Sequence, residues 1–413
     1  MRSFCLALRY IDVKEKNMKK TLEINVAQCD MRHITPEVAG QYKRLVINAA
    51  AVLTSPAAES VLQDISVTIN AADILSVPEN AEVSIHNGSY VLDGAQGAQK
   101  PTVLMVNGRL TVEKSAEHSL QNYITIRVNG QILYPASLAG KLPMLQVNGR
   151  TITYPDEAML LKTNAVIDRM FLLRAKEGLY YAPRSVILSD EQLDVQTLKQ
   201  KGVCFLAPKM FVAEELLEDV LPLIDDTVDI SVIPKGFAYL QGSQELSLEL
   251  LRTKGRKIYV SGDLLLREDA KEALAQLEGC HVQGKVLLPE DLLEAFLALR
   301  PVYGSVTTYQ GVLYYELGNA VADAASLALH PGGATYAACG VVRLGEDISA
   351  DTILKKLRFI ECGVIECHPT QQNAVNFRGK DIGHVDSSGA WTQKHSPQER
   401  DDVQVINAAS YTF

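Results

Sequence analysis

At 413 residues, 47% of them apolar, the chain has enough hydrophobic sequence to bury a continuous core and too little compositional bias to be disordered. A net charge of −9, with acids and bases mixed along the sequence, excludes the basic stripe of a nucleic-acid binder and the polybasic segment of a lipid-surface protein. No apolar run reaches the roughly 18 residues of a membrane span, and the cysteines (5, 29, 204, 280, 339, 362 and 367) are too scattered for a disulfide scaffold, which predicts reduced thiols and a cytoplasmic location.

The chain opens on an apolar stretch, Phe4 to Leu8, but Arg9 and the charged run Asp12 to Lys16 follow at once and no small-residue cleavage site is present. Met18-Lys19-Lys20 reads as a second start, so residues 1–17 are expected to be an extension without a structural role. Beyond it one short phrase recurs. Val46-Ile47-Asn48, Val67-Thr68-Ile69-Asn70 and Ile85-His86-Asn87-Gly88 lead into three clear copies, Val106-Asn107-Gly108, Val128-Asn129-Gly130 and Val147-Asn148-Gly149. A period of about twenty residues is the signature of stacked structural units. From Ile124 the alternation is clean, with Ile124, Ile126, Val128 and Ile132 on one face and Thr125, Arg127, Asn129 and Gln131 on the other, as in a half-buried strand. Asn-Gly supplies the left-handed backbone of a bend. It is equally the strongest short hairpin signal, and three hairpins would make an antiparallel meander.

Downstream the strands are separated by helices. Ile258 to Leu264, with Gly262, is followed by a helical segment in which Leu266, Ala270, Ala273, Leu274 and Leu277 share a face and Gly279 marks the stop. His281 to Val286, with Gly284, is the next strand. Pro289-Glu290-Asp291 then opens a helix carrying Leu292, Phe296 and Leu299, and Tyr309-Gln310-Gly311 repeats the strand. Each helix returns the chain to a parallel strand, which a hairpin series does not do. Weaker units run through Ser185–Leu206, Met210–Ile233 and Gly340–Ile365. The expected fold is a repeat solenoid: right-handed β-helix-like over 18–165, strand–helix coils of about 22 residues over 166–376, and a polar loop with a capping strand over 377–413.

Val260-Ser261-Gly262-Asp263-Leu264 with Leu274 and Leu277 resembles a degenerate leucine-rich repeat. The Val-Asn-Gly copies are similar to rungs of right-handed β-helix proteins, including the bactofilin type of cytoskeletal polymer. The resemblance covers about residues 40–370 and implies architecture alone. After Asn376 the sequence turns polar and holds the single tryptophan, Trp391; Val403 to Phe413 then reads as a strand containing Val405-Ile406-Asn407-Ala408-Ala409, the same letters as Val46 to Ala50. That strand is expected to close an edge of the C-terminal half, the alternative being that it docks on the N-terminal coils of a neighbouring molecule.

The asparagines Asn48, Asn70, Asn87, Asn107, Asn129 and Asn148 would stack one per coil, amide on amide. The structural repeat positions are Asn107, Gly108, Asn129, Gly130, Asn148, Gly149, Gly262, Gly284 and Gly311. Cys362 and Cys367-His368, with Cys339 upstream, are the best metal candidates, but zinc pairs usually stand roughly two to four residues apart. Cys362 and Cys367 bracket four residues in a strand-like stretch, so alternation would point them to opposite faces. His330-Pro331-Gly332-Gly333 is Gly-rich but lacks the Lys-Ser/Thr of a phosphate loop and reads as a turn. The acidic pairs Glu214-Glu215, Asp225-Asp226 and Glu290-Asp291 suit helix starts, although paired carboxylates also do glycosidic acid–base work. No catalytic, cofactor or metal set is assigned. The expected role is a non-enzymatic scaffold with an unidentified protein partner or with self-association through the solenoid ends, without nucleic acid or membrane. The alternative is a carbohydrate-active β-helix enzyme or polysaccharide-binding protein, favoured by three or more acids or bases along one face of adjacent coils.

Overall fold

The computed structural model describes residues 20–63, 66–388 and 403–413. The expected extension, residues 1–17, lies outside them, as do Trp391 and most of the polar loop. The chain is rich in short parallel strands gathered into small sheets. Every strand pairing among the described residues is parallel, including those across the three Asn-Gly copies, so the antiparallel meander is excluded. Asn-Gly is a bend inside a continuous strand: Thr102–Val112 and Tyr123–Pro135 run through it. Among the described residues no helix is long and apolar enough to cross a membrane.

The described residues divide into two compact units, 20–158 with 403–413, and 159–388. In the first, one sheet runs in the order Val403–Thr412, Lys20–Asp30, Tyr42–Thr54, Ser66–Ser76, and a second in the order Glu82–Leu92, Thr102–Val112, Tyr123–Pro135, Met144–Tyr154. Alternation puts Leu22, Ile24, Leu45, Ile47 and Val52 into one core and Leu104, Val106, Leu110, Ile126, Val128 and Ile132 into another. The opposite faces are partly apolar as well: Leu53, Leu75 and Val77 meet Val103 and Met105 in a third cluster. This is why Thr102 to Val106 is buried without interruption.

At the end of the first strand Arg32 forms a buried ion pair with Asp30 at 2.6 Å and donates to the carbonyl of Ala81 at 2.6 Å. Burial alone would raise the Asp30 carboxyl, but the Arg32 side-chain and backbone hydrogen bonds outweigh it and hold the group below its usual range. Asp30→Asn leaves the guanidinium without its counter-charge and is expected to cost about 3 kcal/mol at neutral pH. The folded-state value is depressed, so this advantage of the wild type is full above the unfolded value of about 4 and fades as pH drops through the folded one. Urea melts of both proteins at neutral and acidic pH check this; a difference that does not shrink in acid counts against it.

The last strand departs from expectation. Val403–Thr412 does not close the C-terminal half; it lies parallel against Lys20–Asp30, at the edge of the first sheet of its own chain. Its letters explain the choice. Ile406 stands beside Ile24 and Asn407 beside Asn25, while Ile47 and Asn48 of the matching sequence flank the same two residues from the other side. Ile406, Tyr411 and Phe413 pack against the Leu22–Ile24 core.

In the second unit most repeats carry two short strands and a short helix, although Gly279–Pro289 runs as one strand of 11 residues. The helix starts use side-chain caps: Asp168, Asp194, Ser247, Asp323 and Ser349 each accept a backbone N–H three residues on. Ala270, Ala273, Leu274 and Leu277 are buried as their spacing predicts, and so are Leu292 and Phe296. The core, however, is not continuous. It divides into clusters around Val186, Phe205 and Met210, around Ile258, Val260 and Phe296, and around Tyr336, Ile353 and Phe359. Outward-facing residues join them: Ile187, Phe211, Ile233 and Tyr259 at one junction, Leu265, Leu287, Tyr309, Leu313 and Ile360 at the other.

Candidate functional site

The repeat asparagines form two ladders instead of one. Asn70 donates to Asn48 at 2.8 Å, Asn48 to Asn25 at 2.7 Å and Asn25 to Asn407 at 2.9 Å. In the other sheet Asn129 donates to Asn107 and Asn107 to Asn87, both at 3.0 Å, with Asn148 in register beyond. Asn70 and Asn87 belong to different sheets, and the sequence reading missed Asn25 and Asn407. The inner amides, Asn25, Asn48 and Asn107, thus both donate to and accept from their neighbours, which leaves little for a ligand.

Beside the asparagines runs a glycine column. Gly108, Gly130 and Gly149 have φ of 141°, 138° and 144°, and a Cβ on each would fall 1.8 to 2.1 Å from the carbonyl oxygen of the preceding glycine. Gly262 and Gly284 need their glycine for contact instead: a Cβ on Gly262 would meet the Gly242 backbone at 2.5 Å, and one on Gly284 the Asp263 carboxylate at 2.1 Å. Gly311 lies outside this series. It sits in the turn between Val302–Tyr309 and Val312–Tyr315, and the bend glycine in register with Gly284 is Gly304, whose Cβ would stand 2.8 Å from the Gly284 oxygen.

Gly311 does reach a cleft of about 660 Å³ in the second unit, together with Glu290-Asp291 and the turn His330 to Gly333. Parallel register builds its acidic wall. Leu265 pairs with Leu287, and Pro289 with Tyr309, so Glu268, Glu290 and Gln310 occupy equivalent positions just past three adjacent strands. Gln310 donates to Glu290, and the Arg358 guanidinium approaches the same carboxylate at 3.9 Å. Tyr309 is buried at the base and donates to the Leu266 carbonyl at 3.0 Å; burial and then the Glu268 charge push its phenol above the usual range, so it acts as a fixed donor and not as an acid. His330 is half-buried and stands 3.2 Å from the Tyr314 hydroxyl. Gly333 has φ of 86° and packs against the Lys356 carbonyl, which a Cβ would meet at 2.3 Å, so this glycine serves close packing. Carboxylates from neighbouring repeats with an amide and an imidazole form a hydrogen-bonding surface suited to hydroxyl-rich ligands.

Comparison with family models, curated proteins and solved structures finds no match to this chain. The functional reading therefore rests on its own geometry.

The other sequence candidates separate. Cys339, Cys362 and Cys367 are all buried in one core, against the expectation from strand alternation that Cys362 and Cys367 face opposite ways. The strand ends at Ile360, and the bend through Gly363 resets the alternation before Val364–Glu366 begins. The Cys362 thiol, held by its hydrogen bond with Cys339 and by burial, lies far above its usual range. Among the described residues no three His, Cys, Asp or Glu side chains are grouped to hold a metal ion. Glu214 accepts from the Lys235 backbone N–H, 21 residues on, at 2.9 Å, and Asp225 from that of Thr227 within a turn at 3.0 Å; neither lines the cleft.

Proposed function

We propose that this chain is a non-enzymatic repeat scaffold of the reducing cytoplasm: a right-handed β-helix-like solenoid whose strand–helix coils resemble leucine-rich repeats. It works by presenting an extended surface to a protein partner or by associating through its solenoid ends. The observation that carries the reading is the use of the repeat residues. The inner asparagine amides bond to one another and Gly108, Gly130 and Gly149 are required by backbone contact, so the repeated residues serve stacking. Five of the six described cysteines are buried free thiols, in keeping with a reducing compartment.

One observation favours a second reading. Glu268, Glu290 and Asp291 share a cleft built from adjacent repeats, the arrangement expected of a carbohydrate-active or polysaccharide-binding protein. The engagement of Glu290 by both Gln310 and Arg358 weighs against a free acid–base pair. A reducing-end assay on a polysaccharide panel, paired with sedimentation velocity across a wide concentration range, separates the two. Mass that rises with concentration and no released reducing ends supports the scaffold. Glycan hydrolysis that disappears in Glu268→Gln overturns it.

A further inference from the structure

Across the Glu290–Arg358 contact from the acidic cleft lies a cavity of about 490 Å³ with the opposite charge. Arg358, Arg378 and Lys380 line it, with Thr307, Thr308 and Phe377. Parallel register forces the cations together. Phe359 pairs with Gly379 and Ile360 with Lys380, so Arg358 stands beside Arg378, the last residue of the helix that leads into the paired strand. Like charges so placed repel, and the repulsion is felt at Arg378, whose guanidinium is made less basic first by burial and then by Arg358. Arg378 is fixed through its Nε, which donates to the Leu357 carbonyl at 2.9 Å. Among the described residues neither Arg378 nor Lys380 has an ion-pair partner, and Arg358 has Glu290 alone, at 3.9 Å. This concentration of positive charge occurs in a chain of net charge −9. At its rim Phe377 is 77% exposed.

Paired guanidiniums and an added ammonium in a threonine-walled cavity present more positive charge than Glu290 balances, and a tetrahedral oxyanion matches it. A guanidinium fork matches two oxygens of a phosphate, and an ammonium adds a point charge. An exposed aromatic ring beside such a group offers apolar contact to whatever the phosphate is attached to. The volume lies in the range of small-molecule sites. We propose that this cavity binds a small phosphate monoester, with Arg358, Arg378 and Lys380 on the phosphate oxygens and Phe377 against the organic group.

Calorimetric titration of the full chain with phenyl phosphate, and separately with inorganic phosphate and with benzoate, tests this. Phenyl phosphate is expected to bind about tenfold more tightly than either, because only it satisfies both the cations and the ring. Arg358→Gln should weaken it by about tenfold, the loss of one charge-assisted contact, and Lys380→Gln should weaken it too. Phe377→Ala removes an exposed side chain and so keeps the fold; it should abolish the preference for phenyl phosphate over inorganic phosphate. Absence of binding at millimolar phenyl phosphate overturns the proposal. So does equal binding by the wild type, Lys380→Gln and Phe377→Ala, or a preference for benzoate.

Discussion

Gly130→Ala is expected to destabilise the first unit by about 3 kcal/mol or more, far beyond an ordinary glycine-to-alanine change in a strand. Two causes add. At φ of 138° an alanine is strained, and its Cβ would stand 2.1 Å from the Gly108 oxygen. That oxygen belongs to a strand fixed on both sides by parallel pairing, so the neighbour has no room to yield. Other glycines separate the two causes. Gly88 has φ of 97° but nothing within 4 Å of its missing Cβ, so Gly88→Ala carries the strain alone, about 1 kcal/mol. Gly140 has neither feature, and Gly140→Ala is expected to be neutral. Urea midpoints should fall in the order Gly140→Ala, Gly88→Ala, Gly130→Ala, with a wide gap before the last. Equal midpoints for the variants at 88 and 130 would show that contact between strands is not what demands glycine.

This contrast marks how far the sequence could be read. The bends were legible because Asn-Gly specifies a backbone conformation: Gly88, Gly108, Gly130 and Gly149 all have positive φ. Parallel pairing was legible from the helices between the later strands. The ends of the sheets were not. The asparagine period continues smoothly from Asn70 to Asn87, yet the first sheet stops at Ser76 and the second begins at Glu82. Periodicity reports spacing along the chain, whereas a sheet boundary depends on which face meets which, and here outward residues such as Leu53 and Met105 meet. Gly304 escaped notice because it is needed for contact with Gly284, and contact leaves no local motif.

The clefts were less legible still. Glu268 and Glu290 each open a short turn of helix, so local pattern explained them fully. Lateral register sets Glu268, Glu290 and Gln310 side by side, and Arg358 reaches Glu290 from another sheet although 68 residues separate them in the sequence. The basic cavity is hidden for the same reason. Arg358 and Arg378 look like scattered surface cations until Phe359 is set opposite Gly379.

Removal of residues 403–413 is expected to lower the stability of the first unit by about 3 kcal/mol, roughly 1 kcal/mol for each of Ile406, Tyr411 and Phe413, which are half-buried. For a unit of this size that is a fall of about 6–12 °C in Tm. The deletion also uncovers the edge of Lys20–Asp30, whose backbone pairs with Val403–Thr412 from Thr21 to Asp30 and whose inward residues include Leu22 and Ile24. An uncovered strand edge pairs with other chains, so light scattering should report association of the truncated protein. The missing strand contributes through parallel pairing and three side chains, a form of strand addition that a separate peptide can reproduce. A peptide of residues 403–413 added in excess is therefore expected to restore both the melting temperature and the light scattering of the intact chain. A truncated chain that stays monomeric with an unchanged Tm would refute the assignment of this strand as the cover of the N-terminal edge. Loss of stability that the peptide does not rescue would show that the strand must be joined to the chain to pair.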